Sequence, residues 1–339
     1  MSDNFSNGAS SNPPAIAVRG LVKKYAKAKT NAVDGVSFNV SRGEIFGLLG
    51  PNGAGKTTTI GVLTTAIVPT EGSASIMSVD VTRDPISVKQ RIAVVPQQSN
   101  LDRSLKVREI LTFHAAYHGV PRKTREALAD RLLNELGLGE RKNEKVNRYS
   151  GGMAQRLMIA RALMHEPDVL FLDEPTNNLD PQSRLFLWER IREMNARGLT
   201  ILLTTHDMDE ADKLCQRIAV MDHGKILVDD TPAELKKLIP GGTVLEVRAY
   251  AAAGDGVREA VSGALNAISG VAKVEMVDEK ESNAEPGALS FRVYAEAANA
   301  LIGPAAQAVL TSGAEVRDLS VKQPSLEEVF IFLTGRHLR

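Results

Sequence analysis

The chain has 339 residues, of which 43% are hydrophobic, and this content is enough to bury one large core and a second, smaller one. Lysine plus arginine equals aspartate plus glutamate at 41 each, so the zero net charge argues against a wholesale nucleic-acid binder. The single cysteine, Cys215, excludes an internal disulfide and a multi-cysteine metal site.

The first residues, MSDNFSNGASSNPP, are polar and lack the basic start and apolar middle of a secretory signal. Elsewhere no run reaches the roughly 18 consecutive apolar residues that a membrane span requires. We therefore expect a disordered tail over residues 1–14 and a cytoplasmic protein that reaches a membrane only through a partner.

Strands and helices alternate along residues 15–240, which predicts an α/β core. AIAVRGLVKKYA predicts a strand, and two further strands are expected on either side of the turn SRG. A helix over TTTIGVLTTAIV is expected to stop at Pro69, and a helical tract covers residues 105–137. The apolar runs DVLFLDEP and TILLTTH are typical of strands buried on both faces, and RIAVMDHGKILVDD predicts a hairpin turning at Gly224.

After residue 240 the pattern changes to β-α-β-β-α-β, the order of a small ferredoxin-like α+β domain. Its segments are TVLEVRAY, GVREAVSGALNAI, VAKVEMVDE, LSFRVYAE, AANALIGPAAQAVL and AEVRDLSV. A last helix is expected at PSLEEVFIFL, where Ser325 and Glu328 match a capping box. We predict that residues 241–339 form an accessory domain that supports a dimer.

The segment GPNGAGKTT fits the phosphate-binding pattern G-x-x-x-x-G-K-[ST] between a strand and a helix. Glycines let successive backbone N–H groups turn inward around nucleotide phosphates, and Lys56 adds positive charge. The Thr57 hydroxyl is expected to bind Mg²⁺. The predicted ATP contacts are Gly50, Pro51, Asn52, Gly53, Ala54, Gly55, Lys56, Thr57 and Thr58. The strand and helix context argues against a glycine-rich turn with an incidental lysine.

The apolar strand VLFLDEP ends in two carboxylates, Asp173 and Glu174. Carboxylates at such a position are costly to bury unless a cation or a reacting group lies beside them. We expect Asp173 to hold Mg²⁺, directly or through water, and Glu174 to polarise a water towards the γ-phosphate. The alternative is a pair of exposed strand-end carboxylates, which the phosphate loop makes less favourable.

Three candidates carry weaker signals. His206 ends the next buried strand and would reach the γ-phosphate or the attacking water, although a lone histidine there is more often a packing or surface group. Gln97 ends the segment IAVVPQ and can bind Mg²⁺ or the water, but Gln98 fits equally well. Tyr25 can stack on adenine, and a packing role fits nearly as well.

A second possible anion site begins at YSGGMAQR. Ser150 can cap the helix that follows, while Gly151 and Gly152 expose backbone N–H groups. An ordinary loop-to-helix junction explains the same residues. One ATP needs a single phosphate cradle, so the sequence by itself leaves this second site without a ligand.

Taken together and in this order, these motifs resemble the nucleotide-binding domain of an ABC transporter, over roughly residues 15–238. The resemblance implies a P-loop NTPase core with an antiparallel β subdomain and a helical subdomain at about residues 98–165. In that family two domains pair head to tail, and each ATP lies between the phosphate loop of one subunit and the SGG segment of the other. The contacts implied in trans are Ser150, Gly151, Gly152 and Asp180.

The ending PSLEEVFIFLTG after a small C-terminal domain is similar to the ATPases of drug-resistance, lipo-oligosaccharide and polysaccharide exporters. The membrane subunit of such systems is a separate six-span protein. This resemblance implies a homodimeric ATPase that uses ATP and Mg²⁺ on the cytoplasmic face of the membrane, with no nucleic-acid partner and no insertion into the bilayer. A soluble ABC ATPase acting on ribosomes or DNA is the alternative.

The sequence departs from the family pattern at two places. The usual signature Leu-Ser-Gly-Gly-Gln has Tyr149 and Met153 at its outer positions here, and Met153 lacks the polar contacts of glutamine. The loop after the acidic strand carries Asn177 and Asn178, and it retains Asp180.

Overall fold

The computed structural model describes residues 13–26, 28–251, 255–277, 287–322 and 324–335, so nearly all of the predicted tail lies outside the described residues. The chain divides into two compact units, one ending at Thr231 and the other beginning at Pro232. The second unit begins before residue 240, after which the sequence pattern changes. The reason is that a short helix (Pro232–Lys236) packs against the last helix of this unit (Leu326–Thr334).

The elements of the first unit follow in chain order. Its strands are β1 (Ile16–Lys23), β2 (Val33–Val40), β3 (Ile45–Leu49), β4 (Glu71–Ile76), β5 (Val79–Asp80), β6 (Ile92–Val95), β7 (Val169–Asp173), β8 (Thr200–Thr205), β9 (Arg217–Asp222) and β10 (Lys225–Asp230). Its α-helices are α1 (Lys56–Leu63), α2 (Pro85–Arg91), α3 (Val107–Tyr117), α4 (Arg122–Glu135), α5 (Gly151–Ala162), α6 (Pro181–Ala196) and α7 (Met208–Leu214). Short 3₁₀ turns lie at Gly139–Arg141, Val146–Arg148 and Leu163–His165.

A six-stranded sheet with the order β10-β9-β3-β8-β7-β6 forms the centre of this unit. Strands β9, β3, β8, β7 and β6 are parallel, and β10 pairs antiparallel with β9 through the turn at Gly224, as the hairpin prediction required. Every residue of β3 and β8 is buried, which explains their continuous apolar sequences. The carboxyl ends of β3, β8, β7 and β6 therefore lie side by side along one edge.

A second, antiparallel sheet has the order β2-β1-β4-β5. It shares a buried core with the parallel sheet, and the rings of Phe38 on β2 and Phe46 on β3 stack with centroids 5.1 Å apart. The structure thus confirms the predicted α/β core with an antiparallel β subdomain.

The predicted helical tract contains two helices, and one other helix prediction was wrong in its extent. The tract at residues 105–137 is broken between α3 and α4, where Pro121 takes the N-cap position of α4. Helix α1 ends at Leu63, well before Pro69, because the backbone N–H groups of Ala66 and Ile67 both return to the Gly61 carbonyl and close the helix.

The second unit contains α8 (Pro232–Lys236), β11 (Thr243–Tyr250), α9 (Asp255–Asn266), β12 (Val271–Val277), β13 (Ala288–Ala295), α10 (Ala298–Thr311), β14 (Glu315–Lys322) and α11 (Leu326–Thr334). Its strands form an antiparallel sheet with the order β12-β13-β11-β14, as a ferredoxin-like β-α-β-β-α-β chain requires. The capping box at the start of α11 is formed, since the Glu328 N–H donates to Ser325 Oγ (3.3 Å) and the Ser325 N–H to Glu328 Oε2 (3.1 Å). In the described part of the chain, no helix combines the length and the apolar character needed to cross a membrane.

Candidate functional site

The predicted site residues lie along the carboxyl edge of the parallel sheet. The phosphate loop follows β3, His206 follows β8, and Asp173 and Glu174 end β7. Gln97 comes shortly after β6. Because these strands are parallel neighbours, residues far apart in sequence meet at one edge, which is where open α/β sheets bind ligands.

The phosphate loop adopts a backbone that glycine alone accommodates well. Gly53 and Gly55 have φ angles of 82° and 106°, in the region where a side chain is strained. A Cβ at Gly50 would lie 2.2 Å from the Met221 carbonyl oxygen, and one at Gly55 would lie 2.5 Å from that of Ala32. Helix α1 begins immediately afterwards, so its first N–H groups face the loop without carbonyl partners from a preceding turn. This is a backbone cradle suited to phosphate.

Lys56 holds a buried positive charge at this cradle. Its Nζ donates to the carbonyl oxygens of Gly50 (2.6 Å) and Pro51 (3.2 Å), and it lies 3.7 Å from Glu174 Oε1. Burial lowers the pKa of Lys56, whereas the negative charges of Glu174 and Asp173 raise it. The ammonium is therefore already positioned where an anionic ligand would meet it, and a phosphate oxygen can replace the carbonyl contacts.

Asp173 is oriented by two hydroxyl groups. Thr204 Oγ1 donates to its Oδ1 at 2.5 Å, and Thr57 Oγ1 lies 3.5 Å from its Oδ2. Carboxylate and hydroxyl oxygens are the hard ligands that Mg²⁺ prefers in proteins. The donor set around Asp173 and Thr57 therefore fits the predicted magnesium ion.

Glu174 is the centre of a compact polar cluster and is only 8% exposed. Its Oε2 accepts hydrogen bonds from Gln97 Nε2 (2.7 Å) and Asn177 Nδ2 (3.1 Å). His206 Nδ1 lies 3.2 Å from Oε1 but makes no hydrogen bond, although the atom is buried. The φ angle of Glu174 is 48°, and such left-handed backbone at a non-glycine residue is typical of functional sites. Of the two glutamines that fit the sequence, Gln97 is the one that contacts the cluster.

Thr204 is a residue of this site that sequence reasoning missed. Besides binding Asp173, its Oγ1 accepts the Glu174 backbone N–H at 3.1 Å, so one buried hydroxyl orients both acidic residues. Asp173 and Thr204 are partners in the parallel register of β7 and β8. In the sequence, Thr204 is one of several threonines in TILLTT. Its role depends on the pairing register of β7 and β8, which is a feature of the tertiary structure.

We expect Thr204→Val to lower ATP turnover and Mg²⁺ affinity about 10- to 100-fold, the usual effect of removing a group that orients a metal ligand. Valine has a similar shape, so the loss isolates the hydroxyl. Steady-state ATPase assays over a Mg²⁺ titration measure the effect. Thr205→Val is the matched control, because the Thr205 hydroxyl is also buried but contacts Glu210 and the Asp207 backbone N–H rather than Asp173. Equal activity of the two variants would contradict this role for Thr204.

A buried glutamate supports the loop that follows Glu174. Glu210 Oε1 accepts from Thr176 Oγ1 (2.7 Å) and Trp188 Nε1 (3.1 Å), and burial raises the pKa of Glu210. These contacts join α7 and α6 to the loop after β7. No local pattern in the sequence indicates this arrangement.

Tyr25 lies just beyond β1, beside the phosphate loop. Its hydroxyl is 3.4 Å from Thr58 Oγ1, and the Lys23 ammonium lies 5.3 Å from the centre of its ring. The residue is 43% exposed, so part of its side chain is accessible to a ligand. Stacking on adenine stays a prediction that this position supports.

The second helix start does not join this cluster. Ser150 Oγ accepts the Met153 N–H at 3.3 Å, and Asp180 Oδ1 accepts the Ser183 N–H at 2.9 Å, so both residues cap helices. A Cβ at Gly152 would lie 2.6 Å from Ser183 Oγ, which explains the glycine. Among the described residues, no hydrogen bond or ion pair links Ser150, Gly151, Gly152 or Asp180 to the phosphate loop. One chain therefore presents two separate polar sites.

The sequence profile of the ABC transporter family matches residues 33–177. A daunorubicin/doxorubicin resistance ATP-binding protein, DrrA of Streptomyces peucetius, is 40% identical over 322 residues, covering 95% of this chain and 92% of that protein. The chain belongs to the ATP-binding proteins of ABC transporters. This ABC ATPase is also 47% identical over 215 residues to the Nod factor export ATP-binding protein I of Burkholderia pseudomallei, covering 63% of this chain and 71% of the relative.

Solved structures agree with this family and with its enzymatic activity. The ATP-binding subunit of an ABC transporter matches with a TM-score of 0.61 and 31% identity, over 66% of this chain and 92% of the other. A dimeric ATP-binding cassette in a post-hydrolysis state, bound to ADP and Pi, matches with a TM-score of 0.58 and 26% identity, over 64% of this chain and 98% of the other. The predicted family, fold class and ATPase activity are thereby confirmed.

Proposed function

We propose that this ABC ATPase powers an exporter by binding and hydrolysing ATP for a separate membrane permease. The observation that carries the ATPase part is the meeting of Lys56, Asp173 and Glu174 at one sheet edge, beside a glycine cradle. The exporter part is supported by the relatives, whose names describe drug resistance and Nod factor export.

In the proposed mechanism, residues 50–58 hold the β- and γ-phosphates, with Lys56 exchanging carbonyl contacts for phosphate oxygens. Thr57 Oγ1, Asp173 and the Gln97 side-chain oxygen would hold Mg²⁺. When bound, the ion would supply positive charge that offsets the negative charge of the phosphate oxygens. The chain itself contributes mainly positioning, because phosphoryl transfer demands little covalent chemistry from the protein.

Glu174 is proposed as the general base. Its carboxylate takes a proton from the water that attacks the γ-phosphate, and the buried Lys56 ammonium lies 3.7 Å from its Oε1. Gln97 and His206 flank the same carboxylate. His206 has a buried nitrogen without a hydrogen-bond partner, and we assign it to the γ-phosphate or to the attacking water. Gln97 would couple this contact to the helices that follow it.

The second helix start supports a head-to-tail homodimer with two composite ATP sites. Ser150, Gly151, Gly152 and Asp180 are not linked to the phosphate loop of their own chain, yet their helix ends offer backbone N–H groups to an anion. In the proposed dimer they contact the nucleotide held by the partner. The solved cassette with ADP and Pi is itself dimeric, which agrees with this arrangement. The domain at residues 241–339 is proposed to support the dimer.

The proposed partner is a six-span permease in the membrane, with the ATPase peripheral on its cytoplasmic face. Helix α3 offers a docking point, because Phe113 and Tyr117 are separated by one helical turn and are 57% and 88% exposed. Large exposed aromatic side chains of this kind are typical of interaction surfaces.

Co-purification tests the exporter proposal. We expect the ATPase to retain a six-span protein encoded by an adjacent reading frame, when the two are expressed together and extracted in mild detergent. The double variant Phe113→Ser/Tyr117→Ser should weaken this complex about tenfold while leaving ATP affinity unchanged. A soluble ABC ATPase acting on ribosomes or DNA would instead co-sediment with ribosomes after a salt wash and would retain no permease.

A further inference from the structure

Three histidines form a cluster in the helical region, outside the ATP site. His114, His118 and His165 each place a ring nitrogen so that the three atoms lie within 4.8 Å of one another. All three side chains are half-buried. The proposed mechanism of ATP hydrolysis does not use them.

The elements that carry these residues explain the convergence. His114 and His118 are four residues apart, at the end of α3, and therefore share one face of the helix. His165 lies in the 3₁₀ turn Leu163–His165 that directly follows α5. The cluster thus joins the ends of two helices that neighbour each other in the fold.

His165 has a fixed tautomer. Its Nε2 lies 2.9 Å from the Ile92 carbonyl oxygen, and a carbonyl only accepts, so Nε2 carries the hydrogen and donates it. Nδ1 is then left with a free lone pair, and this atom is buried without a hydrogen-bond partner. A histidine that donates one N–H to a backbone carbonyl and directs the other nitrogen at a ligand is the usual arrangement at metal sites.

We propose that His114, His118 and His165 bind a divalent transition-metal ion of the zinc class, with water as a further ligand. Imidazole nitrogens suit Zn²⁺, Co²⁺ and Ni²⁺, whereas Mg²⁺ prefers oxygen. Burial lowers the pKa of His114 to about 4 and also lowers that of His118, so neutral rings with free lone pairs are present at pH 7.

Metal binding requires one local rearrangement. The rings of His118 and His165 stack at 4.0 Å and 7°, and a metal ion must lie in the plane of each ring that binds it. His118 follows the last residue of α3 and is half-exposed, so it can turn about its side-chain torsions while His165 stays held by Ile92. Arg161 is the nearby cation that opposes binding, and its guanidinium is directed to Asn100 Oδ1 at 2.6 Å.

The bound ion would tie the end of α3 to the turn after α5 and, through the Ile92 carbonyl, to β6. Binding to the folded state alone stabilises it by mass action, so the melting temperature should rise with metal concentration. The bound ion would therefore cross-link two segments of the helical region, independently of the nucleotide.

Cobalt titration of the tag-free, nucleotide-free protein in excess Mg²⁺ tests the proposal. We expect one Co²⁺ per chain, with the intense visible absorption of a tetrahedral site, displacement by Zn²⁺ and a raised melting temperature. His118→Ala should lower the affinity at least about tenfold and remove the thermal shift. His223→Ala is the matched control, because the His223 side chain is 81% exposed and lies outside the cluster.

His165→Ala should abolish the absorption, and normal ATP affinity in both variants would show that the fold is retained. Substoichiometric Co²⁺ binding at micromolar concentrations, or His118→Ala binding as tightly as the wild type, would overturn the metal site and leave the cluster as ring packing.

Discussion

The variant Glu174→Gln is expected to bind ATP with nearly unchanged affinity and to lose at least about 100-fold in turnover, within the range typical of a lost general base. The amide keeps the shape of the carboxylate and can still accept from Gln97 Nε2, but it cannot take a proton from water. ATP should then persist in the site. We expect the variant to accumulate as an ATP-bound dimer, seen as a doubled mass in size-exclusion chromatography with light scattering.

Glu210→Gln is the matched control for this change. Glu210 is also buried and stands near the same loop, but its carboxylate binds Thr176 and Trp188, and an amide oxygen can accept both hydrogen bonds. Its turnover should stay within about threefold of the wild type. If Glu174→Gln hydrolysed ATP at a near wild-type rate, the assignment of the general base would be wrong.

Ser150→Arg is expected to leave ATP binding by the single subunit intact and to abolish hydrolysis. The substitution places a long cationic side chain at an exposed helix start, for which the described residues show no hydrogen bond or ion pair to the phosphate loop. In the proposed dimer the arginine would collide with the neighbouring subunit and its nucleotide. The clearest measurement is the double variant Glu174→Gln/Ser150→Arg, which should remain monomeric with ATP.

Ser41→Arg in the same Glu174→Gln background is the matched control, because Ser41 is an exposed serine in the turn between β2 and β3. That protein should still dimerise. A mixture of Ser150→Arg and Lys56→Ala subunits gives a second readout, since a head-to-tail dimer of the two contains one intact composite site. An ATP-dependent dimer of Glu174→Gln/Ser150→Arg would rule out the composite arrangement.

The acidic pair and the phosphate loop were recognisable because their chemistry is local. Consecutive glycines and a lysine between a strand and a helix specify a phosphate cradle, and two carboxylates after an apolar strand require a charge partner. The structure brings Lys56 and Glu174 to 3.7 Å, although 118 positions (174 − 56) separate them in the sequence. Gln97 and His206 were plausible but ambiguous from sequence alone, since a single polar residue at a strand end fits several roles.

Other features depended on the register of the sheet and on the packing of helices. Thr204 gains its role only because β8 pairs with β7 so that its hydroxyl faces Asp173. The sequence indicated a helical tract over residues 105–137, but apolar periodicity does not show where a chain folds back, and the break between α3 and α4 lies at Pro121.

The sequence by itself thus determined the family, the ATP chemistry and the order of elements, because these follow from short patterns of residue type along the chain. Only the tertiary structure decided which distant side chains share a site. It brought His165 to the His114 and His118 pair, and it separated Ser150 from the phosphate loop. The physical reason is that such contacts depend on strand order and helix packing, which no local pattern encodes.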